Sequence, residues 1–203
     1  WGLRRRCGRD LRSWSLHRSL DSPLGIAVEV VWKNMHNLTS QPYIHISLPE
    51  RRLRWIDEGG ARRFDVAIST AANGAGEVMD SMCTPRGWHV VRARIGADAP
   101  PNTVFIGRRP SGEIYTPELR DQEPHRDWIL TRVLWLSGLE VGKNRLGRVD
   151  TMRRYIYIHG SPDDVPMGHV GSHGCVRMCN DEVIELFART PVGTRVLISE
   201  STP

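Results

Sequence analysis

The sequence predicts a mainly β domain, a sandwich or barrel with one helix packed near its C-terminal end. Three observations carry that expectation. Apolar residues alternate with polar ones in short runs along most of the chain, the period of a pleated strand. β-Branched and aromatic residues fill those runs, and Gly or Pro closes them, as strand propensity and turn chemistry require. A single late segment, Asn180 to Ala188, changes to helical spacing.

The elements follow in order. Ile44, Ile46 and Leu48 alternate with polar neighbours, Leu53 and Trp55 repeat the pattern before the Glu58-Gly59-Gly60 turn, and Phe64, Val66 and Ile68 follow it. This reads as an antiparallel meander with one face buried. Trp88 to Ile95, Thr103 to Ile106, Ile129 to Leu136 and Arg154 to Ile158 are further strands by composition. Gly96 to Asp127 is rich in Pro, Gly and charge and is otherwise expected to form long surface loops. In "NDEVIELFA", Val183, Ile184 and Phe187 share one helical face, with Asn180 as N-cap and acids in the first turn. Pro191-Val192-Gly193 then turns the chain into a last strand, Arg195 to Ile198.

A chain of 203 residues with 39% hydrophobic content can bury one core. Its domain is expected at residues 41–199, preceded by a basic tail or linker at 1–40 and followed by a tail at 200–203. The formal charge of +5 invites a nucleic-acid reading, but six arginines lie in residues 1–25, which leaves the rest close to neutral. A basic end of that kind reads as a solvated tail, so no nucleic-acid partner is expected. No apolar run approaches the roughly 20 residues of a membrane span. No apolar core of a signal peptide is visible in the first 25 residues. Four cysteines, at 7, 83, 175 and 179, are too few for a disulfide framework in a chain this long.

The stretch Gly171 to Met178, "GSHGCVRM", concentrates the chemistry. A glycine-rich polar loop is a poor place to bury an inert thiol, so Cys175 is read as a nucleophile. A thiol near neutral pH needs a base, and His159, at the end of "RYIYIHG", can point across a cleft at the sulfur. His173 lies two residues from Cys175 and is read as an oxyanion-side or supporting group. Gly171 and Gly174 let a substrate chain come close. The turn after Cys175, expected to enter the helix, would aim free N–H groups at a developing oxyanion. Ser172 is a substrate donor or a turn residue, and Arg177 offers a planar fork for a substrate carboxylate. A zinc site from His159, His173 and Cys175 has the right ligand types but needs His169 or Cys179 as a fourth ligand, so no metal is assigned.

"YIHG" followed by "SHGCVRM" resembles the signature of the L,D-transpeptidase (YkuD-type) catalytic domain. "VAISTAANG", "TPRGWHVVRARIG", "NDEVIELF" and "VGTRVLI" extend the resemblance over roughly residues 41–199. Arg177-Met178 stands where the family often has Asn, Cys83 precedes the Thr-Pro turn, and Trp88 replaces a frequent Phe. The resemblance implies a mostly β fold with the cysteine at the mouth of a cleft, and no cofactor. It further implies attack by Cys175 on peptidoglycan tetrapeptide stems with His159 as base, oriented by the carbonyl of Gly160. Release of D-alanine and transfer of the acyl group to an amine would follow, the amine coming from a second stem or an envelope lipoprotein. An envelope or periplasmic location follows from that substrate. Two rivals share the fold: a carboxypeptidase or endopeptidase using water, and a wall-binding module with idle chemistry.

Overall fold

The computed structural model describes residues 41–201. The expected basic tail at 1–40 lies outside them. Strands β1 (Tyr43–Ser47), β2 (Arg52–Ile56) and β3 (Arg62–Ala67) form the antiparallel meander. Its second turn is set by Asp57, whose Oδ1 accepts the N–H groups of Gly59 and Ala61 at 2.9 and 2.8 Å. β1 differs from the one-sided strand expected, because His45 and Ser47 are buried along with Ile44 and Ile46. The reason is its place inside the sheet, parallel to β12 (Arg195–Ser199) on one side and antiparallel to β2 on the other.

The short β4 (Thr70–Ala71) leads by a long loop to β5 (Gly87–Ile95), which pairs with β8 (Leu130–Gly138). Between them, the stretch expected to be surface loops contains a hairpin of β6 (Thr103–Ile106) and β7 (Arg109–Ile114). It also contains a short helix, α1 (Pro117–Gln122), capped by Thr116 Oγ1 accepting from Leu119 N–H at 3.2 Å. β7 escapes a hydropathy reading because most of its residues are exposed.

After β8 come β9 (Tyr157–Gly160), β10 (Val170–Ser172), β11 (Val176–Met178) and helix α2 (Asn180–Arg189). The strand expected from Arg154 begins only at Tyr157. Asp150 holds the preceding residues in a turn, its backbone carbonyl accepting from Arg154 N–H and its carboxylate from Arg153 N–H, both at 3.0 Å. The main sheet runs β11-β9-β8-β5-β12-β1-β2-β3, with the β6–β7 hairpin attached to β8, and β10 pairs with β4 beside it.

One face of this sheet carries the main core. Ile46, Leu53, Leu134, Ile158, Val176 and Met178 pack there with Val183, Leu186 and Phe187 of α2. Those helix positions follow the 3, 4 spacing of an amphipathic face, and Asp181 and Glu182 complement its positive N-terminal end. Asn180 is not the N-cap. Cys179 holds that place without a side-chain bond, and Asn180 turns its amide inward instead. The Asn180 amide donates to Asn102 Oδ1, Ser161 O and Asp163 Oδ1 at 2.8 to 3.0 Å.

Candidate active site

β9 and β11 are parallel and adjacent, with Ile158 opposite Val176 and His159 opposite Arg177. Side chains alternate along a strand. Because Ile158 and Val176 point into the main core, Tyr157, His159, Cys175 and Arg177 share the other face. The register therefore brings the cysteine and histidine to one surface. On that face Cys175 packs against a buried cluster of Phe105, Val133 and Tyr157.

The thiol is held by backbone. Its Sγ donates to Tyr155 O at 3.4 Å and accepts from Tyr157 N–H at 3.3 Å. Burial pushes the Cys175 thiol up to about 12, against the smaller downward pull of the Tyr157 N–H, Arg177 and Arg154. His159 is wholly buried, and its Nδ1 lies 2.8 Å from Gly160 O. A carbonyl only accepts, so Nδ1 carries the proton and Nε2 holds a free lone pair. Nε2 is buried with no hydrogen-bond partner among the described residues. Burial lowers the histidine below its ordinary value, more strongly than the Asp127 carboxylate and Gly160 carbonyl raise it. The resting pair is thus a thiol and a neutral imidazole.

The loop before the cysteine is fixed from several sides. Gly174 has φ of +124°, a conformation that favours glycine, and a Cβ there would lie 2.9 Å from Ile156 Cδ1 and 3.2 Å from Cys83 O. Ser172 is buried and works within the loop, donating from Oγ to Cys175 O at 2.5 Å and accepting from Gly174 N–H at 3.3 Å. The expected direct entry from cysteine to helix does not occur, because β11 intervenes. His173 is exposed at the rim, with Nδ1 3.7 Å from Asp127 Oδ2. Arg177, expected to meet a substrate carboxylate, engages both terminal nitrogens within the protein. Nη2 pairs with Asp127 Oδ1 at 2.6 Å and Nη1 donates to Gly171 O at 3.1 Å.

A recess of about 210 Å³, lined by Met82, Arg153, Arg154, Tyr155 and His173, opens beside the carbonyl that receives the thiol. A larger depression of about 480 Å³ near Trp55, Arg189 and Thr194 contains neither cysteine nor histidine. Chemistry, not size, marks the site.

A family model for the L,D-transpeptidase catalytic domain matches residues 41–198. The chain belongs to this family. Its L,D-transpeptidase domain is 54% identical over 43 residues to YqjB of Bacillus subtilis, a match covering 21% of this chain and 24% of that protein. It is 31% identical over 106 residues to YbiS of Escherichia coli, covering 51% of this chain and 34% of that protein. The matches thus span well under half the length of these curated relatives, both of which carry the L,D-transpeptidase name. Bd1075 of Bdellovibrio bacteriovorus superposes with a TM-score of 0.51 at 17% identity, covering 82% of this chain and 50% of that one, a likeness of fold.

Several residues of this L,D-transpeptidase domain escaped the sequence reading. Thr84 looked like a shape-setting turn residue, yet it is fully buried and its Oγ1 donates to Gly174 O at 3.0 Å. Asp127 closed a stretch expected to be loop, yet it contacts Arg177 and His173. Arg154, expected to open a strand, donates to Gly76 O and Cys83 O at 3.0 and 2.6 Å and braces the loop behind Gly174. No local sequence signal announces these contacts, since each joins segments distant along the chain.

Proposed function

We propose that the domain is a cysteine L,D-transpeptidase acting on peptidoglycan stem peptides in the cell envelope. The observation that carries this reading is the free, buried lone pair of His159 Nε2 on the face that also presents Cys175. In the proposed reaction Cys175 Sγ attacks the carbonyl of the L-centred residue before the terminal D-alanine. His159 Nε2 takes the thiol proton as the C–S bond forms and returns it to the departing amine of D-alanine. Gly160 O keeps the ring in the required tautomer, the part a carboxylate plays in other triads. In this reading the backbone N–H of Cys175 faces the oxyanion, while Ser172, which accepts the Gly174 N–H, and His173 support that loop.

An amine from a second stem or from an envelope lipoprotein then resolves the thioester. Water in that role would give a carboxypeptidase. A thiol that rests protonated needs the base in place when substrate arrives, which suits a site that reacts only on a correctly seated stem.

Mass spectrometry of the protein mixed with a carbapenem tests the nucleophile. The expected result is a covalent adduct on the peptide holding Cys175, absent from Cys175→Ala. An adduct on Cys83 instead would overturn the assignment. Incubation with a disaccharide-tetrapeptide then separates transfer, read as a cross-linked dimer, from hydrolysis, read as a tripeptide.

A further inference from the structure

His159 gives its Nδ1 proton to an uncharged acceptor, the Gly160 carbonyl. When Nε2 takes the thiol proton, the ring becomes a cation with no carboxylate bonded to it. A cation in a wholly buried site is costly unless an opposite charge faces it. The carboxylate whose charge acts on it is Asp127, on the segment that leads into β8. One of its oxygens accepts from Arg177 Nη2 at 2.6 Å, and the other lies 3.7 Å from His173 Nδ1. Arg177 is the register neighbour of His159 across β9 and β11, so it holds the carboxylate over the catalytic face. Its other nitrogen bonds Gly171 O, in the strand that leads to the cysteine loop.

We propose that Asp127 and Arg177 act as one positioning pair, the carboxylate opposing the positive charge that forms on His159 and the guanidinium limiting that field. The pair thereby sets the pH range over which Cys175 is acylated. This rests on the reading of Cys175 and His159 as nucleophile and base.

Among the described residues, Arg120 and Arg126 line the same recess as Asp127 and Arg177. His159 faces Asp127, which favours its protonated form, and Arg177, which opposes it, after the larger effect of burial. Cys175 faces the same two groups and Arg154 from the turn before β9. Tyr157 lies against the sulfur with its hydroxyl on Arg108 Nη1 at 3.1 Å, and His173 stands at the outer oxygen of Asp127. For Asp127 itself burial works upward, and the charges of His159, Arg177 and His173 overcome it, leaving the group below the ordinary carboxylate value. Asp127 thus stays ionised while His159 titrates.

The sign of the effect follows. Below its own pKa His159 is protonated and accepts nothing from the thiol, so acylation falls as pH drops through that value. Asp127→Asn removes the negative charge and leaves Arg177 unopposed, so His159 binds its proton less well and the acid limb moves to lower pH. Arg177→Met leaves Asp127 unopposed, and the limb moves to higher pH. The double variant returns towards wild type. Each single shift is expected to reach about half a pH unit or more.

The experiment is carbapenem acylation of Cys175, followed by mass spectrometry from about pH 7 downward. Opposite shifts in the two single variants, cancelling in the double, are the expected result. Asp127→Glu, which keeps the charge, retains the wild-type limb whatever happens to the plateau rate. Shifts in the same direction, or slower plateaus with an unmoved limb, reduce the pair to a structural ion pair and overturn the proposal. If Asp127→Asn does not fold, Arg177→Met decides alone, and a limb that stays or moves down is fatal. Labelling that survives in Cys175→Ala sinks the reading of the site itself, whereas a normal wild-type limb that no variant moves sinks only the pair.

Discussion

The two faces of the β9–β11 pair are built from alternate residues of the same short segments and do opposite things. On one face Ile156, Ile158, Val176 and Met178 are at most 2% exposed and meet the apolar side of α2. On the other lie the proposed nucleophile and base, Cys175 and His159, with Tyr157 and with Arg177, which holds Asp127 from the segment before β8. Burying each aliphatic side chain stabilises the fold by about 1.5–3 kcal/mol. Burying the unpartnered Nε2 of His159 works against it, by roughly 1–3 kcal/mol. The lesson lies in the pleat: a strand fastened by hydrocarbon on one side can present a polar set of proposed reactive groups on the other.

The sharpest way to test that division is to remove the base. His159→Gln keeps a polar side chain on β9 but has no lone pair able to take a proton near neutral pH. Carbapenem acylation of Cys175 is expected to slow by about 10²–10⁴-fold, with thermal unfolding shifted little. A rate within tenfold of wild type would show that the imidazole is a bystander.

The next effect in size falls on the opposite face. Leu186 is fully buried against the sheet from α2. Leu186→Ala should cost about 3 kcal/mol of unfolding free energy in urea or thermal denaturation, through lost transfer energy and the cavity left behind. The acylation rate of the folded protein should stay within about twofold, since no reacting group touches that side. A rate loss comparable to that of His159→Gln would mean that the two faces are mechanically coupled.

The same contrast explains what the sequence made legible. Period-two alternation and β-branched runs gave β1, β2, β3, β5 and β8 nearly at their observed bounds, and the apolar spacing of "NDEVIELFA" gave α2. Alternation could not reveal β7, whose residues are mostly exposed. It could not place Tyr155 in a turn either, where its φ is 57° and its N–H donates to Met152 O at 3.1 Å. Cys175 stood out because it lies in a polar, glycine-rich loop, and His159 because it ends the strand-like run "RYIYIHG". Thr84 and Asp127 did not, because they meet their partners across 90 and 50 residues of chain. Asn180 was misread for a related reason: its N-cap chemistry is generic, while its bonds to Asn102 and Asp163 exist only after folding.

Thr84 gives the smallest and most discriminating effect, because it ties the cysteine loop at Gly174 to β4. Its hydroxyl accepts from Ala71 N–H at 3.1 Å and donates to Gly174 O at 3.0 Å, next to the point where a Cβ on Gly174 would meet Ile156 from the main core. Thr84→Val keeps the shape and removes both bonds, leaving a buried donor and acceptor unmatched. Unfolding free energy should fall by about 1–2 kcal/mol. Acylation should slow only several-fold, a small fraction of the loss in His159→Gln, because the loop would loosen while base and nucleophile remain. Thr84→Ser, which restores the hydroxyl, should recover most of the rate even where the missing methyl still lowers stability. If the Val variant instead lost as much rate as the variant without a base, the shape of the Gly174 loop would govern reactivity more than proton transfer does, and the chemical face would depend on its tether more than on its imidazole.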